Sequence, residues 1–325
     1  MIGARHAFLL GALALFALAS VAIALVAGSV AIAPGAVLDA LRAPPGALDG
    51  DIVRELRLPR ALDAFATGGL LAVAGVLMQV LVRNPLADPY VLGISGGAAV
   101  GALGAILAGA AGLVVPGAAF AGAAASTALV LVLGRVGGRW MPTRLLLVGV
   151  IIAAGWGAVV TFMLAVAPDQ RLRGMLFWLM GDLSLATGGG PSLAALAVGG
   201  AAALVLARKL NLLAQGDDQA ALLGVEVAPT RLAVLLVAAA LTAAAVVTAG
   251  TIGFIGLVVP HLVRLAAGHD HRVLVPAAAL GGGALLVLAD TLARTLLAPQ
   301  QLPVGVVTAV IGVPLFLALL VRRSR

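Results

Sequence analysis

Long apolar runs separated by short polar stretches occupy most of the chain. Charges, prolines and glycine clusters divide it into ten apolar segments, and one membrane-spanning helix requires roughly 20 such residues. The predicted spans are 7–33, 61–82, 91–112, 116–134, 144–167, 190–207, 230–249, 252–267, 273–293 and 303–321. The pattern predicts an all-α, polytopic membrane protein of about ten transmembrane helices, with residues 1–325 forming a single domain.

Composition supports this class. The chain is 62% hydrophobic and 10% charged, with a mean hydropathy of +1.18, whereas soluble domains carry about 25% charged residues. The absence of cysteine excludes disulfides and thiol chemistry. The N-terminus has the basic start of a signal peptide, but its apolar run exceeds the roughly 7–15 residues of a signal core. We expect a retained first span, with cleavage as the alternative.

The distribution of charge predicts the orientation. If the N-terminus is cytoplasmic, 13 of the 20 basic residues fall in inside loops and eight of the 13 acidic residues fall outside. Cytoplasmic loops of membrane proteins are enriched in Lys and Arg. We therefore expect both termini in the cytoplasm. The same distribution accounts for the net charge of +7, so no nucleic-acid partner is expected.

A serine in the first half of the chain stands in the spacing of a hydrolase nucleophile elbow. Gly93, Ser95 and Gly97 form G-x-S-x-G, and the order Ser95, Asp182, His261 would allow a catalytic triad. An elbow requires a strand before the serine and a helix after it, but the preceding residues RNPLADP contain two prolines. A membrane-embedded serine hydrolase remains a remote alternative.

The glycines of the same segment favour helix packing. Gly93, Gly97 and Gly101 recur every four residues, which places them on one face of a helix. Small residues in this spacing let membrane helices approach closely. We interpret them as a packing face.

Two other polar features bear on cofactors. His269, Asp270 and His271 are possible metal ligands, but consecutive residues on a helix or strand do not converge on one ion. A polar cytoplasmic turn is the favoured interpretation, and no metal or cofactor is expected. Lys209 is the single lysine, and its surroundings match no G-x-x-x-x-G-K-[ST] loop. ATP, if used, must bind another subunit.

Three arginines near the predicted outer surface have alternative interpretations. Asp290 and Arg294 are four residues apart, the spacing of a helical ion pair. They form either an interfacial pair or part of a docking site. Arg57 and Arg60 flank Pro59 just before the second span. They belong either to a solvated loop or to a contact with acidic groups of a soluble partner.

The longest inside connection, 208–231, is predicted to contain a short helix. Its polar start at Asp217 follows Gly216, and Leu222 and Leu223 would give the helix an apolar side. Such a segment either packs on the surface or docks a cytoplasmic partner.

Six segments together resemble a known transporter family. They are RLPR at 57–60, QVLVRNPLADPYVLGISGGA at 79–98, LNLLAQGDDQAALLGV at 210–225, GFIGLVVPHLVRLAAGHDHRVLVP at 253–276, ADTLAR at 289–294 and LPVGVVTAVIG at 302–312. In this order they resemble the FecCD family, the permeases of ABC importers for iron-siderophores, haem and cobalamin, including cobalamin-importer permeases.

The resemblance implies a type II ABC importer permease fold in the bacterial inner membrane. It implies a dimer with a second permease copy, which we expect to be identical, two cytoplasmic ATPase subunits and a periplasmic substrate-binding protein. The permease itself would not be an enzyme. The expected function is import of a ferric siderophore or haem, with cobalamin as the alternative. An ion-coupled transporter would place carboxylates near mid-membrane, whereas the acids here fall at span ends or in loops.

The resemblance also assigns residues to roles. Arg57, Arg60 and Arg294 match periplasmic arginines that pair with acidic residues of the binding protein. Pro142 and Thr143 match the cytoplasmic gate region. The segment 211–225 matches the loop that couples to the ATPase. Its assigned residues are Asn211, Gly216, Asp217, Leu222, Leu223 and Gly224.

This chain departs from the family pattern at two places. Gln301 stands where many members have Glu, so the resemblance implies that an ion pair is missing there. In the gate region Met141 and Pro142 leave Thr143 as the remaining hydroxyl residue.

Overall fold

The computed structural model describes residues 3–28, 30, 32–42, 46–136, 139–140, 142–184 and 188–323. The helices, in chain order, are α1 (Ala4–Val26), α2 (Ala36–Arg42), α3 (Leu48–Asp51), α4 (Leu58–Leu81), α5 (Ile94–Leu107), α6 (Val114–Gly134), α7 (Pro142–Val166), α8 (Asp169–Met180), α9 (Gly190–Leu213), α10 (Asp217–Leu222), α11 (Val227–Ala249), α12 (Ile255–Ala267), α13 (His271–Thr295) and α14 (Val304–Arg323). A π-helical turn, Ile52–Arg57, joins α3 to α4, and a 3-10 turn, Pro89–Leu92, precedes α5. Strands β1 (Arg135–Val136) and β2 (Arg139–Trp140) form a two-residue antiparallel pair with Arg135 opposite Trp140.

Each of the ten predicted spans contains one helix, so the all-α, polytopic fold is confirmed. Within the described residues, seven helical segments are long and apolar enough to cross a membrane, and shorter apolar stretches are α5, α12 and Val304–Ala318 of α14. Three span ends were wrong by five residues or more. Helix α1 ends at Val26 and not at Ala33, α5 ends at Leu107 and not at 112, and α9 continues to Leu213 and does not end at 207. Gly109 and Gly112 adopt positive φ beyond α5, a backbone conformation that ends a helix.

Besides the predicted short helix α10, four short helical elements of the described residues lie outside the predicted spans. Helices α2 and α3, with the π-helical turn, follow α1, and α8 follows α7. Their charged residues break the apolar pattern; α8, for example, begins DQRLR. A search for long apolar runs cannot find such elements. The residues before α4 pack on α1 through a small apolar cluster that includes Leu25, Ile32 and Val53.

Helix α4 is the centre of the bundle and is almost entirely buried. It packs against α13, α11, α9 and α12. Glycines permit this closeness: a Cβ at Gly75 would lie 1.9 Å from the carbonyl oxygen of Gly256, and one at Gly68 would lie 2.2 Å from that of Gly282. Membrane helices gain dispersion contacts when small residues let their backbones approach.

Each end of α4 carries a polar cluster. At 1.5 Å per residue its 24 residues span about 36 Å, enough to cross the roughly 30 Å hydrocarbon core. The first turn of α4 lies beside the C-terminal ends of α1 and α13. Its last turn lies beside the start of α11. Helix α4 therefore connects opposite ends of the bundle.

Candidate functional site

At the first end of α4, Arg57 binds the C-terminus of α1. Its Nη1 donates to the carbonyl oxygens of Leu25 and Val26, each at 2.7 Å, and its Nη2 donates to Val30. The side chain is 4% exposed. A guanidinium at this position satisfies carbonyls that have no partner within the helix and interacts favourably with the helix dipole. Arg57 thus fixes α1 to the π-helical turn.

Beside Arg57 lies a second group, which we call the Asp290 cluster: Arg60, Asp290, Arg294 and Gln301. The Arg60 Nε donates to both carboxylate oxygens of Asp290, at 3.1 and 3.0 Å, and its Nη2 donates to Oδ1 at 2.8 Å. The Arg294 Nε donates to Oδ2 at 3.1 Å. Asp290 is 1% exposed, and both arginines are 8% exposed. Two buried guanidinium groups therefore share one carboxylate.

Gln301 completes this cluster from the outside. Its Oε1 accepts a hydrogen bond of 2.8 Å from the Arg60 Nη1, and the residue itself is exposed. Gln301, at the position where many family members have Glu, thus keeps a contact with Arg60, but its amide acceptor carries no charge. The ion pair expected to be missing is replaced by an amide hydrogen bond.

The three arginines assigned to docking lie at one end of the bundle. In this conformation their guanidinium groups are bound within the chain, so the docking role stays a prediction. The i, i+4 spacing indicated the pair of Asp290 with Arg294. The contact of Arg60 with Asp290 spans 230 positions, and no local pattern reveals such a pair.

At the opposite end of α4, Asp217 ties the segment 211–225 to the bundle. We call it the coupling segment, after the role that the resemblance assigns to it. Asp217 begins α10 and forms ion pairs with Arg231, at 2.9 Å, and with Arg83. Arg231 is buried and also donates to the carbonyl oxygen of Leu81, the last residue of α4, at 3.2 Å. One carboxylate thus links α10 to α11 and to the loop after α4. In the sequence, Arg83 and Arg231 are distinguished only as basic residues of predicted inside loops.

Asn211 joins the end of α9 to the start of α13. Its Nδ2 donates to Asp270 at 2.8 Å, and its Oδ1 accepts from the backbone N–H of His271 at 2.9 Å. Asp270 caps α13 by accepting from the N–H of Arg272 at 3.0 Å. Burial would raise the pKa of Asp270, but these two hydrogen bonds and the charge of Arg272 hold it below its usual value. The GHDHR segment is therefore a helix-capping turn.

The C-terminal end of α10 is apolar and exposed. Gly216 and Gly224, with φ of +128° and +82°, bound the helix, a geometry that favours glycine. Leu222 is 86% and Leu223 62% exposed. The coupling segment therefore presents two leucines at the end of the bundle where Asp217 and Asn211 are anchored.

The residues assigned to the gate lie at the start of α7. Pro142 is the first residue of this helix, and Thr143 is exposed. Met141 falls outside the described residues. Helix α7 is among the least buried of the long helices. The gate role stays a prediction.

Gly97 and Gly101 lie against α6. A Cβ at Gly97 would be 2.4 Å from the carbonyl oxygen of Gly122, and one at Gly101 would be 2.0 Å from that of Ala118. Such separations are too short for any side chain, so glycine is required for the two backbones to touch.

The expected placement of Gly93 on this helical face was wrong. Gly93 has φ of +70° and ends the 3-10 turn before α5, in a left-handed conformation that glycine adopts without strain. Its carbonyl oxygen accepts a hydrogen bond of 2.8 Å from Ser126 Oγ. The residues before Ser95 thus form a 3-10 turn where the hydrolase elbow requires a strand.

Tyr90, the single tyrosine, was not singled out by the sequence. Its hydroxyl donates to the carbonyl oxygen of Ile252 at 3.1 Å and accepts from the Ile252 N–H at 3.0 Å. This pair fixes the start of α5 to the α11–α12 connection. Burial raises the pKa of Tyr90, and burial raises that of the neighbouring Asp88 to about 6.

Comparisons with known proteins identify one transporter family. The model of the FecCD transport family matches residues 15–322. The hemin transport system permease protein HmuU of Yersinia pestis is 47% identical over 82% of each chain. The cobalamin import system permease protein BtuC of Halobacterium salinarum is 45% identical over 83% of this chain and 73% of its own. The Fe(3+) dicitrate permease protein FecD of Escherichia coli is 43% identical over 83% and 85%.

A solved structure has the same fold. A metal-chelate type ABC transporter in an inward-facing conformation superposes with a TM-score of 0.84, at 29% sequence identity, over 97% of this chain and 99% of the other. The superposition covers nearly the whole chain, so the fold is that of an ABC transporter permease.

Proposed function

The chain belongs to the FecCD transport family, and we propose that it imports a ferric chelate, a siderophore complex or haem, as the permease subunit of an ATP-driven ABC importer. The observation that carries this proposal is the family match over nearly the whole length, joined to a 47% identical hemin permease. The bundle supports it, since buried α4 connects a coupling segment at one end with an arginine-rich end at the other.

Cobalamin is the second candidate cargo. Cobalamin permeases from Halobacterium salinarum and Vibrio cholerae are 45% and 42% identical to this chain, close to the 43% of the ferric dicitrate permease. All three cargoes are bulky metal chelates.

The cargo is tested by the absorption spectrum of the partner binding protein after loading and purification. We expect a Soret band for haem or a charge-transfer band for a ferric siderophore. Corrin bands alone would overturn the ferric proposal and establish cobalamin.

The partners follow from the same assignment. We propose a dimer with a second copy of this chain, two cytoplasmic ATPase subunits and a periplasmic binding protein. Lys209 is the single lysine and lies in no phosphate-binding loop, which supports ATP binding on a separate subunit. We place the protein in the inner membrane with both termini cytoplasmic, since the inside loops carry most of the basic residues.

The same proposal assigns a role to the segments at each end of the bundle. The segment around α10 would bind the ATPase, and Thr143 would lie at the cytoplasmic gate. Arg57, Arg60 and Arg294 would form the periplasmic end that receives the binding protein. Electrostatic complementarity mainly speeds and orients such docking.

The coupling role predicts a loss of uptake in the double variant Leu222→Asp/Leu223→Asp. Leu222 at the end of α10 and Leu223 directly after it are exposed and supply apolar area for the ATPase, and a charge at each position removes it. We expect uptake into vesicles to fall at least about tenfold. Burying one Leu side chain is worth about 1.5–3 kcal/mol, and a loss of about 1.4 kcal/mol weakens binding tenfold. ATP hydrolysis by the assembled variant should continue. Leu222→Met/Leu223→Met keeps the apolar area and should transport normally. Normal uptake by the double Asp variant would reject the role.

A further inference from the structure

The Asp290 cluster is layered from the interior to the surface. Asp290 is buried at its base, Arg60 lies over it, and the exposed Gln301 lies over Arg60. The Nε and Nη2 of Arg60 point to Asp290, whereas Nη1 donates to the Gln301 amide oxygen at 2.8 Å. Asp290 thus orients the guanidinium, and Gln301 covers the nitrogen on its outer side.

The two acceptors of Arg60 differ in strength. Asp290 is an oppositely charged acceptor that receives three N–H···O contacts from Arg60, whereas Gln301 offers one neutral amide oxygen. The carboxylate of Asp290 therefore holds Arg60 more firmly than the amide of Gln301 does. One carboxylate also serves both Arg60 and Arg294, which leaves the cluster with a net charge of +1. A buried positive charge of this kind gains from a second carboxylate.

We propose that Gln301 is a displaceable cap on Arg60, and that an Asp or Glu side chain of the substrate-binding protein replaces it when that protein docks. The inference rests on the proposed function, which puts this end of the bundle in the periplasm. It explains how a guanidinium that is 8% exposed can still bind a partner: one exposed side chain moves, and Asp290 keeps its position.

The test introduces a permanent carboxylate at the cap. In the assembled importer, Gln301→Glu places an internal carboxylate on Arg60, so we expect the affinity for the loaded binding protein to fall about tenfold. Gln301→Ala uncovers Arg60 and should leave the affinity unchanged or higher. Gln300→Glu is the matched control, because the neighbouring residue is also exposed and adds the same charge. It should lower the affinity less than about threefold, the range of a screened surface charge.

Two outcomes would overturn the inference. One is equal weakening by Gln301→Glu and Gln300→Glu, which would mean a general charge effect. The other is weakening by Gln301→Ala as large as that by Gln301→Glu, which would mean that the partner binds Gln301 itself.

A salt series separates failure of this inference from failure of the docking role. The wild-type affinity should fall when salt is raised from about 50 to 300 mM, because the Debye length shortens. A salt-independent affinity, with all three variants like the wild type, would reject docking at this end and the inference with it. A salt-dependent affinity with no specific effect of Gln301→Glu would reject the cap alone.

Discussion

Replacing Asp290 with Asn is expected to lower the free energy of unfolding by about 3–5 kcal/mol, the cost of removing one partner from a buried ion pair. The carboxylate accepts from Arg60 at 2.8 to 3.1 Å and from Arg294 at 3.1 Å. Asn keeps the shape and loses the charge, so two guanidinium groups would remain buried without a counter-charge. The purified permease in mixed micelles should unfold at a lower denaturant concentration.

A surface ion pair provides the control. Asp51 and Arg54 are 3.5 Å apart, with side chains 37% and 30% exposed. Exposed pairs contribute about 0.2–1 kcal/mol, so Asp51→Asn should change the stability little. The double variant Asp290→Asn/Gln301→Glu should regain part of the loss, since Glu at 301 returns a carboxylate to Arg60. Equal stability of Asp290→Asn and Asp51→Asn would refute the structural weight given to Asp290.

The membrane spans could be predicted from sequence because their signal is local. After Arg231, α11 runs to its end without a charged residue, and the bilayer fixes how long such a run must be. The elements that were missed lack this signal. Helix α8 begins with DQRLR, and its stability depends on packing against other helices that its own sequence does not specify.

The site residues divide in the same way. The spacing of Asp290 and Arg294 reveals their pair, since residues four apart are neighbours on a helix. The contacts of Arg60 with Asp290 and of Arg231 with Asp217 join separate helices, and only the tertiary fold decides them. The sequence left Arg57 open between a solvated loop and a docking contact. Its attachment to α1 could not be predicted, because its acceptors are backbone carbonyls.

The glycines near Ser95 include both correct and incorrect predictions within one segment. Period-four spacing correctly put Gly97 and Gly101 on one helical face. It failed for Gly93 because a periodic pattern does not reveal where the helix begins. The left-handed conformation of Gly93 ends the 3-10 turn, and α5 starts one residue later.

The second large effect is expected at Gly97. A Cβ there would lie 2.4 Å from the carbonyl oxygen of Gly122 and 2.7 Å from Ser126 Cβ. The first of these atoms is backbone, so a rotamer change cannot relieve the clash and α5 must move away from α6. We expect Gly97→Leu to destabilise the permease by about 3 kcal/mol or more and to reduce the yield of folded protein in the membrane.

Gly117→Leu is the control for the added volume of a Leu side chain. Gly117 lies in the first turns of α6, and a Cβ there would meet nothing within 4 Å, so the same side chain should be accommodated at the surface. Ser95→Ala tests the remaining hydrolase alternative in the same segment and should retain uptake. Folded yield is measured by size-exclusion chromatography of a fluorescent fusion. Wild-type yield of Gly97→Leu would mean that α5 and α6 do not touch through their backbones, because no arrangement with the present separation admits even a Cβ at this position.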